Sequence, residues 1–304
     1  FPSLPPREKG SPFAPRGASL CPMEFGAHAF VWVGDWAPAS ARKAVAGAAA
    51  AGLDFLEIPL LRPEEFSPEE TRRMLSDHGI GATFSLGLPA EAALPERPRE
   101  AEDFLLRALD QVAATGSDRL TGVVYGSLGL LPGRPPTETD YETVAAVLRR
   151  VAAAAGDRGI RLGIEPVNRY ETFLVNTTAQ GLALLDRIGA ANSFLHLDTY
   201  HMNIEEESFG QPIREAGDRL GYIHLSESHR GTPGSGTVDW DNTFRALAAI
   251  DYQGALVLES FVALHPDIAR ATCMWRDVVG NPATLVRDGL AFLHEKAAAA
   301  GLLR

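Results

Sequence analysis

Cysteine is almost absent from this chain: Cys21 and Cys273 are the only two in 304 residues, too few and too far apart for a disulfide framework or a Cys-x-x-Cys metal clip. No apolar run approaches the ~20 residues that cross a bilayer. Positive charge is in the minority, with 28 Lys and Arg against 39 Asp and Glu, and the net charge of −11 repels phosphate backbones and anionic lipid. No local basic patch overrides it. A His-Glu-x-x-His zinc signature is missing, and no Gly-x-Gly-x-x-Gly loop follows the first strand-like run. These absences argue against nucleic-acid and membrane partners. With no charged leader followed by an apolar stretch, and two isolated cysteines, the chain reads as a protein of the reducing cytoplasm. What remains is an ordinary globular composition, 45% hydrophobic and 22% charged.

The first 22 residues carry six prolines and read as a disordered extension, with Met23 as a start just before the first strand-like run. Residues 23–304 then hold the folded unit. Short β-branched runs at 25–31, 55–58, 82–86, 120–124, 162–165, 194–198, 222–225 and 255–259 alternate with longer Ala-rich amphipathic stretches, for example 39–51, 100–115, 141–158, 178–188 and 240–250. Eight such pairs, spaced to fit one helix and two loops each, predict an α/β fold, a single (β/α)8 barrel of near-typical length.

Active sites of such barrels lie at the C-terminal ends of the strands. Four consecutive strand ends carry charged or ligating groups: Glu165 in GIEPVNRYE, Asp198 in LHLDTYHMN, His224 in YIHLSESHR and Glu259 in LVLESF. Any one alone reads equally well as a helix cap or an arginine partner. Four in succession do not, because gathered carboxylates repel unless a cation or protons compensate them. Three carboxylates and one imidazole form a hard donor set suited to Mn2+, Mg2+ or Co2+, and no organic cofactor is indicated. A divalent ion chelating a ketone oxygen and a neighbouring hydroxyl acidifies the hydroxyl-bearing carbon. Glu165 and Glu259, three strands apart around the ring, could flank that carbon and exchange its proton on opposite faces.

The segments LGIEPVNRYETFLVNT, LHLDTYHMNIEEESF, HLSESHRGTPG, LVLESF and MWRDVV, with the GAHAFVWVGDW start, closely resemble the ketose 3-epimerases that act on D-tagatose, D-psicose (allulose) and L-ribulose. The resemblance implies a xylose isomerase-like TIM barrel and metal-dependent inversion at C3 of free ketoses through an enediolate. It implies Glu165, Asp198, His224 and Glu259 as metal ligands, Glu165 and Glu259 as the acid/base pair, and a homodimer or homotetramer. It further implies that Glu171, His201 and Arg230 grip the ketone end of the sugar. Taken alone, Glu171 reads as a partner of Arg169, His201 as a loop histidine and Arg230 as the partner of a surface carboxylate. Trp32 and Trp36, after the first strand, could wall the sugar's apolar face or simply pack. Three positions depart from the family pattern: Ser226 stands for Gly, His229 for Asn, and Leu128 lies where a Trp is common, so the preferred sugar is open. Competing readings are an aldose–ketose isomerase or inosose dehydratase on the same barrel, a sugar-phosphate enzyme using the loop glycines Gly231, Gly234 and Gly236, and, against the charge and the few histidines, a repair nuclease or a binding module.

Overall fold

Apolar runs become parallel strands because their side chains are buried on both faces, inside the barrel and under the helices. The computed structural model describes residues 23–262 and 266–303, so the proline-rich 1–22 segment, with Cys21, lies outside the described residues. The strands are β1 (Phe25–His28), β2 (Phe55–Pro59), β3 (Gly81–Gly87), β4 (Arg119–Val123), β5 (Arg161–Ile164), β6 (Ser193–Asp198), β7 (Leu220–Leu225) and β8 (Ala255–Leu258). Neighbours pair in parallel in chain order and β8 pairs back on β1, closing the barrel. Around it run α1 (Pro38–Ala50), α2 (Pro68–His78), α3 (Pro98–Thr115), α4 (Glu138–Asp157), α5 (Thr178–Ile188), α6 (Thr199–Glu205), α7 (Gly210–Ala216), α8 (Trp240–Ala249), α9 (Pro266–Ala271) and α10 (Pro282–Ala299). No helix among the described residues is long and apolar enough to cross a membrane.

The helices begin where local chemistry allows. Thr137 and Thr177 open α4 and α5 with reciprocal capping boxes to Asp140 and Gln180, and proline occupies the first turn of α1, α2, α3 and α10. Most strand and helix ends fall within three residues of the sequence expectation. Strand one is shorter than the expected 25–31: the Phe30 amide donates to His28 Nδ1, and the chain turns into a single 3-10 turn at Ala29–Val31. The seven-residue α6 was not expected either; Asp198 caps it by accepting from the Tyr200 amide.

Alternation along each strand sorts the barrel interior into layers. At the bottom, Phe55 and Phe194 fill the barrel opposite Gly26, Gly163 and Gly221, and Arg119 and Arg161 lie over their rings. Two residues further along the strands, the inward positions turn polar: His28, Glu57, Thr83, Thr121, His196 and Tyr222. The next step up reaches the strand ends, where Glu165, Asp198, His224 and Glu259 stand. The apolar majority of each strand faces the helices.

Gly122 on β4 has φ +104°, and a Cβ there would sit 2.5 Å from the Leu86 carbonyl oxygen of β3. Its own carbonyl accepts from the Glu165 amide, so the same residue anchors the end of β5. Gly122→Ala combines backbone strain with a clash against backbone that cannot swing away, and is expected to cost about 2–4 kcal/mol. Denaturant unfolding checks this; a loss below about 0.5 kcal/mol, the scale of an ordinary surface substitution, contradicts it.

Candidate active site

The four strand-end groups converge. Asp198, His224 and Glu259 each offer a ligand atom within 4.8 Å of the others, and Glu165 forms two further such sets, with His196 and His224 and with Asp198 and His201. His224 Nδ1 lies 3.6 Å from Glu165 Oε1 and 3.4 Å from Glu259 Oε1. It is buried and has no hydrogen-bond partner among the described residues. A lone donor atom facing carboxylates from two strands, with Asp198 beside them, is a potential metal-binding site, and its oxygen-rich, one-nitrogen composition suits a hard divalent cation.

Arg230 reaches into the same cluster. Its Nη1 donates to Asp198 Oδ2 at 2.8 Å, to Ser226 Oγ at 3.1 Å and to Glu259 Oε2. The guanidinium lies 3.8 Å above the Tyr200 ring and 5.1 Å from that of Phe261. Arg230 holds a left-handed backbone, φ 63°, which a non-glycine residue rarely adopts without support. The support is Glu227, whose buried carboxylate accepts from the amides of Ser228, Gly234 and Val238 and from Trp240 Nε1. The amide of Gly234 in the glycine-rich loop is therefore spent on a protein carboxylate. Arg230 is 3% exposed and its partners are buried carboxylates, so it is no surface arginine.

Glu171 is 2% exposed and accepts from Asn168 Nδ2 at 2.7 Å, while Arg169 turns away to a bidentate pair with Glu205. His201, on α6, accepts at Nδ1 from the Asn168 amide, which leaves its Nε2 facing Asp198 Oδ2 at 3.5 Å and Glu165 Oε1 at 3.9 Å. Leu128, in the loop after β4, packs beside Gly87 at the end of β3, on the same face of the barrel. Trp32 is not brought into the cluster: its indole lies against Gly47 of α1, and Trp36 donates from Nε1 to Thr71 of α2. Tyr200 and Phe261 flank the Arg230 guanidinium of the cluster, and Phe30 packs against Phe261. Tyr200 and Arg230, with His229, Met274, Trp275 and Arg276, line a cavity of ≈ 450 Å³ at the mouth. Cys273 on its rim is an exposed free thiol.

So many acids in one dry site cannot all ionise at ordinary cost. Burial pushes Asp198 up to about 7 against the pull of Arg230, and pushes Glu171 up to about 7 against the same arginine. Burial raises Glu165 as well, although His224 opposes it. For His224 burial favours the neutral ring, but Glu57, Glu259 and Glu165 overcome it and hold the imidazole well above its ordinary value. Burial keeps His28, pulled down to about 4, and His196 and His201, both well below their usual range, as neutral rings.

Glu57 is the functional-looking residue that sequence reasoning passed over. It lies at the centre of β2 with no exposure, accepting at Oε2 from His224 Nε2 and from Tyr222 Oη, both at 2.7 Å. Burial works against its charge, yet the His224 ring beside it outweighs that and holds the carboxyl below the usual range. A single acid inside the apolar run Phe-Leu-Glu-Ile-Pro was the available signal.

Comparison with known proteins agrees with this architecture. Residues 45–296 match the family model described as the xylose isomerase-like TIM barrel. An L-ribulose 3-epimerase of Methylomonas sp. (strain DH-1) is 43% identical over 280 residues, 90% of this chain and 98% of the relative. A ketose 3-epimerase of Arthrobacter globiformis is 38% identical, covering 90% of this chain and 96% of the relative. Among solved structures, the D-allulose 3-epimerase of Methylomonas sp. in complex with D-allulose superposes with a TM-score of 0.87 at 42% identity, over 90% of this chain and 97% of that one. The chain is an isomerase that belongs to the ketose 3-epimerase family, built on the xylose isomerase-like TIM barrel.

Proposed function

We propose that the protein inverts the configuration at C3 of free ketoses, with a divalent cation, Mn2+ by preference, held by Glu165, Asp198, His224 and Glu259. The observation that carries this reading is the pair of buried carboxylates at the ends of β5 and β8 that both approach His224 Nδ1, at 3.6 and 3.4 Å. A cation bound there would supply stabilisation for the negative charge that develops on the ketose oxygens when the C3 proton leaves. Glu165 takes that proton from one face and Glu259 returns a proton to the other, each exchanging roles in the reverse reaction. Burial raises Glu165 toward the working pH, as a group that must both accept and release a proton requires. Glu171, His201 and Arg230 hold the ketone end: a carboxyl fixed by Asn168, an Nε2–H donor and a guanidinium fixed by Tyr200 and Ser226. Leu128 flanks the far end of the sugar. The indole of Trp32 packs against Gly47 of α1, which supports its packing alternative over a place in the sugar wall. Unphosphorylated sugars are favoured because Glu227 takes up the Gly234 amide of the loop that would otherwise cradle a phosphate. The relatives named for L-ribulose and D-allulose support the same substrate class, and the reading carries with it a cytoplasmic homodimer or homotetramer.

The test is chromatography of D-fructose, D-tagatose and L-ribulose incubated with the protein and Mn2+. Appearance of the C3 epimer of at least one of them is the expected result. Aldose products instead would place proton transfer between C1 and C2 and favour the isomerase alternative.

A further inference from the structure

We infer that Glu57 is a positioning residue for His224, fixing the ring so that Nδ1, and not a carbon, faces the carboxylates of the site. This rests on the reading of Glu165, Asp198, His224 and Glu259 as a cation site. Glu57 meets His224 at Nε2, whereas Glu165 and Glu259 face the opposite ring nitrogen, Nδ1. Its Oε2 accepts the Nε2 proton of His224 at 2.7 Å and the hydroxyl proton of Tyr222 at 2.7 Å; Thr83 Oγ1 in turn lies 2.8 Å from Tyr222 Oη. Since Tyr222 spends its proton on Glu57, Thr83 is the donor in that last bond, and the chain of bonds has one direction. On the other side His28 accepts at Nδ1 from the Phe30 amide, so its Nε2–H points toward Ser85 Oγ at 3.3 Å and Glu57 Oε1 at 3.7 Å.

A carboxylate in the middle of a barrel core is a costly filler, and an apolar side chain of similar volume would pack there more cheaply. What it supplies is orientation. With the Nε2 proton committed to Glu57, a flipped His224 ring would set a carbon against the carboxylate and another carbon toward Glu165 and Glu259. The ring of His196, perpendicular to that of His224 with centroids 4.2 Å apart, blocks intermediate tilts. Imidazole ligands are commonly held in this way by a carboxylate on their second nitrogen, and loss of that partner typically weakens metal binding about 10–100-fold.

Calorimetric titration of the metal-stripped full chain with Mn2+ tests this for Glu57→Gln, which keeps the shape of the side chain, and for Tyr222→Phe, which keeps Glu57 but removes one of its donors. Proton NMR supplies a second readout: the carboxylate-bonded Nε2–H of His224, assigned by its loss in His224→Gln, gives a far-downfield resonance in the metal-free protein. The expected result is a rise in the Mn2+ dissociation constant of about 10–100-fold for Glu57→Gln, loss of the downfield resonance, and an unchanged KM for ketose at saturating Mn2+. Tyr222→Phe keeps the resonance and weakens Mn2+ only a few-fold. An unchanged Mn2+ affinity in Glu57→Gln overturns the inference, and so does weaker binding with the resonance still in place. Should the wild-type protein bind no Mn2+, the cation reading fails on its own, and presence or absence of the Glu57-dependent resonance still decides whether Glu57 holds the ring.

Discussion

Glu259→Gln and Glu165→Gln are each expected to lower kcat for epimerisation on the order of 10³-fold, the scale of a positioned proton-transfer group. The two carboxylates follow strands three places apart in the ring and both approach His224 Nδ1, at 3.6 and 3.4 Å; in the proposed reaction each serves one face of a substrate lying across the site. That geometry makes a sharper forecast than loss of rate. In D2O, each variant retains the carboxylate of one face, and it should incorporate deuterium at C3 of one epimer while producing little of the other. Glu259→Gln and Glu165→Gln should label opposite epimers. Arg230 complicates Glu259→Gln, because its Nη1 donates to both Glu259 and Asp198, and removal of one charge draws the guanidinium toward the other. Measuring deuterium uptake at saturating substrate separates that rearrangement, which acts on KM, from loss of the acid/base group, which acts on kcat. Uptake into both epimers by either variant, or epimerisation within tenfold of wild type, removes that carboxylate from the chemistry.

The rim of the site was legible because barrel strands announce their ends. In LGIE, LHLD and LVLE a buried apolar run stops at an acid, and a chain with eight such runs has one place to put those acids, the C-terminal face of the barrel. The layer beneath was not legible. Glu57 and His196 sit inside apolar runs two residues below a strand end, and periodicity in a strand buried on both faces does not say which alternate set points inward. Only the pairing of β2, β6 and β7 around a closed ring shows that Glu57, Tyr222, His196 and His224 share one interior. Arg230 was readable as a residue and unreadable as a conformation, since its left-handed backbone depends on Glu227 tying down a loop that reads as a plain glycine-rich turn. Trp32 is a different case. Position after a strand left both a sugar wall and plain packing open, and what the sequence did not show is that Gly47 leaves a slot on α1 in which the indole packs.

Stripping the protein of divalent metal should abolish turnover, and the stability of the stripped protein should carry the signature of the site's acids. Asp198, pushed up to about 7 by burial, and Glu165, raised by the same cause, bind protons in the folded chain at pH values where the unfolded chain has released them. A raised folded value contributes stability that is complete below the unfolded value and is lost as pH climbs through the folded one. His224, held well above its ordinary value by Glu57, Glu259 and Glu165, acts in the same direction above pH 6.5. The neutral buried histidines His28, His196 and His201 act in the opposite direction, but only below 6.5, because above it they are neutral in both states. The stripped protein should therefore lose stability from pH 6.5 to 8, at about 1.4 kcal/mol per pH unit for each proton involved. Binding a divalent cation requires those same protons to leave. The gain in Tm on adding Mn2+ should then grow from pH 6.5 to 8 by on the order of 5 °C, and taking the difference between loaded and stripped samples cancels every group remote from the site. Scanning calorimetry of both forms across that range is the measurement. A gain that is flat or shrinks with rising pH would mean that the cation does not displace protons from Asp198, Glu165 and His224, and the ligand set would have to be sought elsewhere.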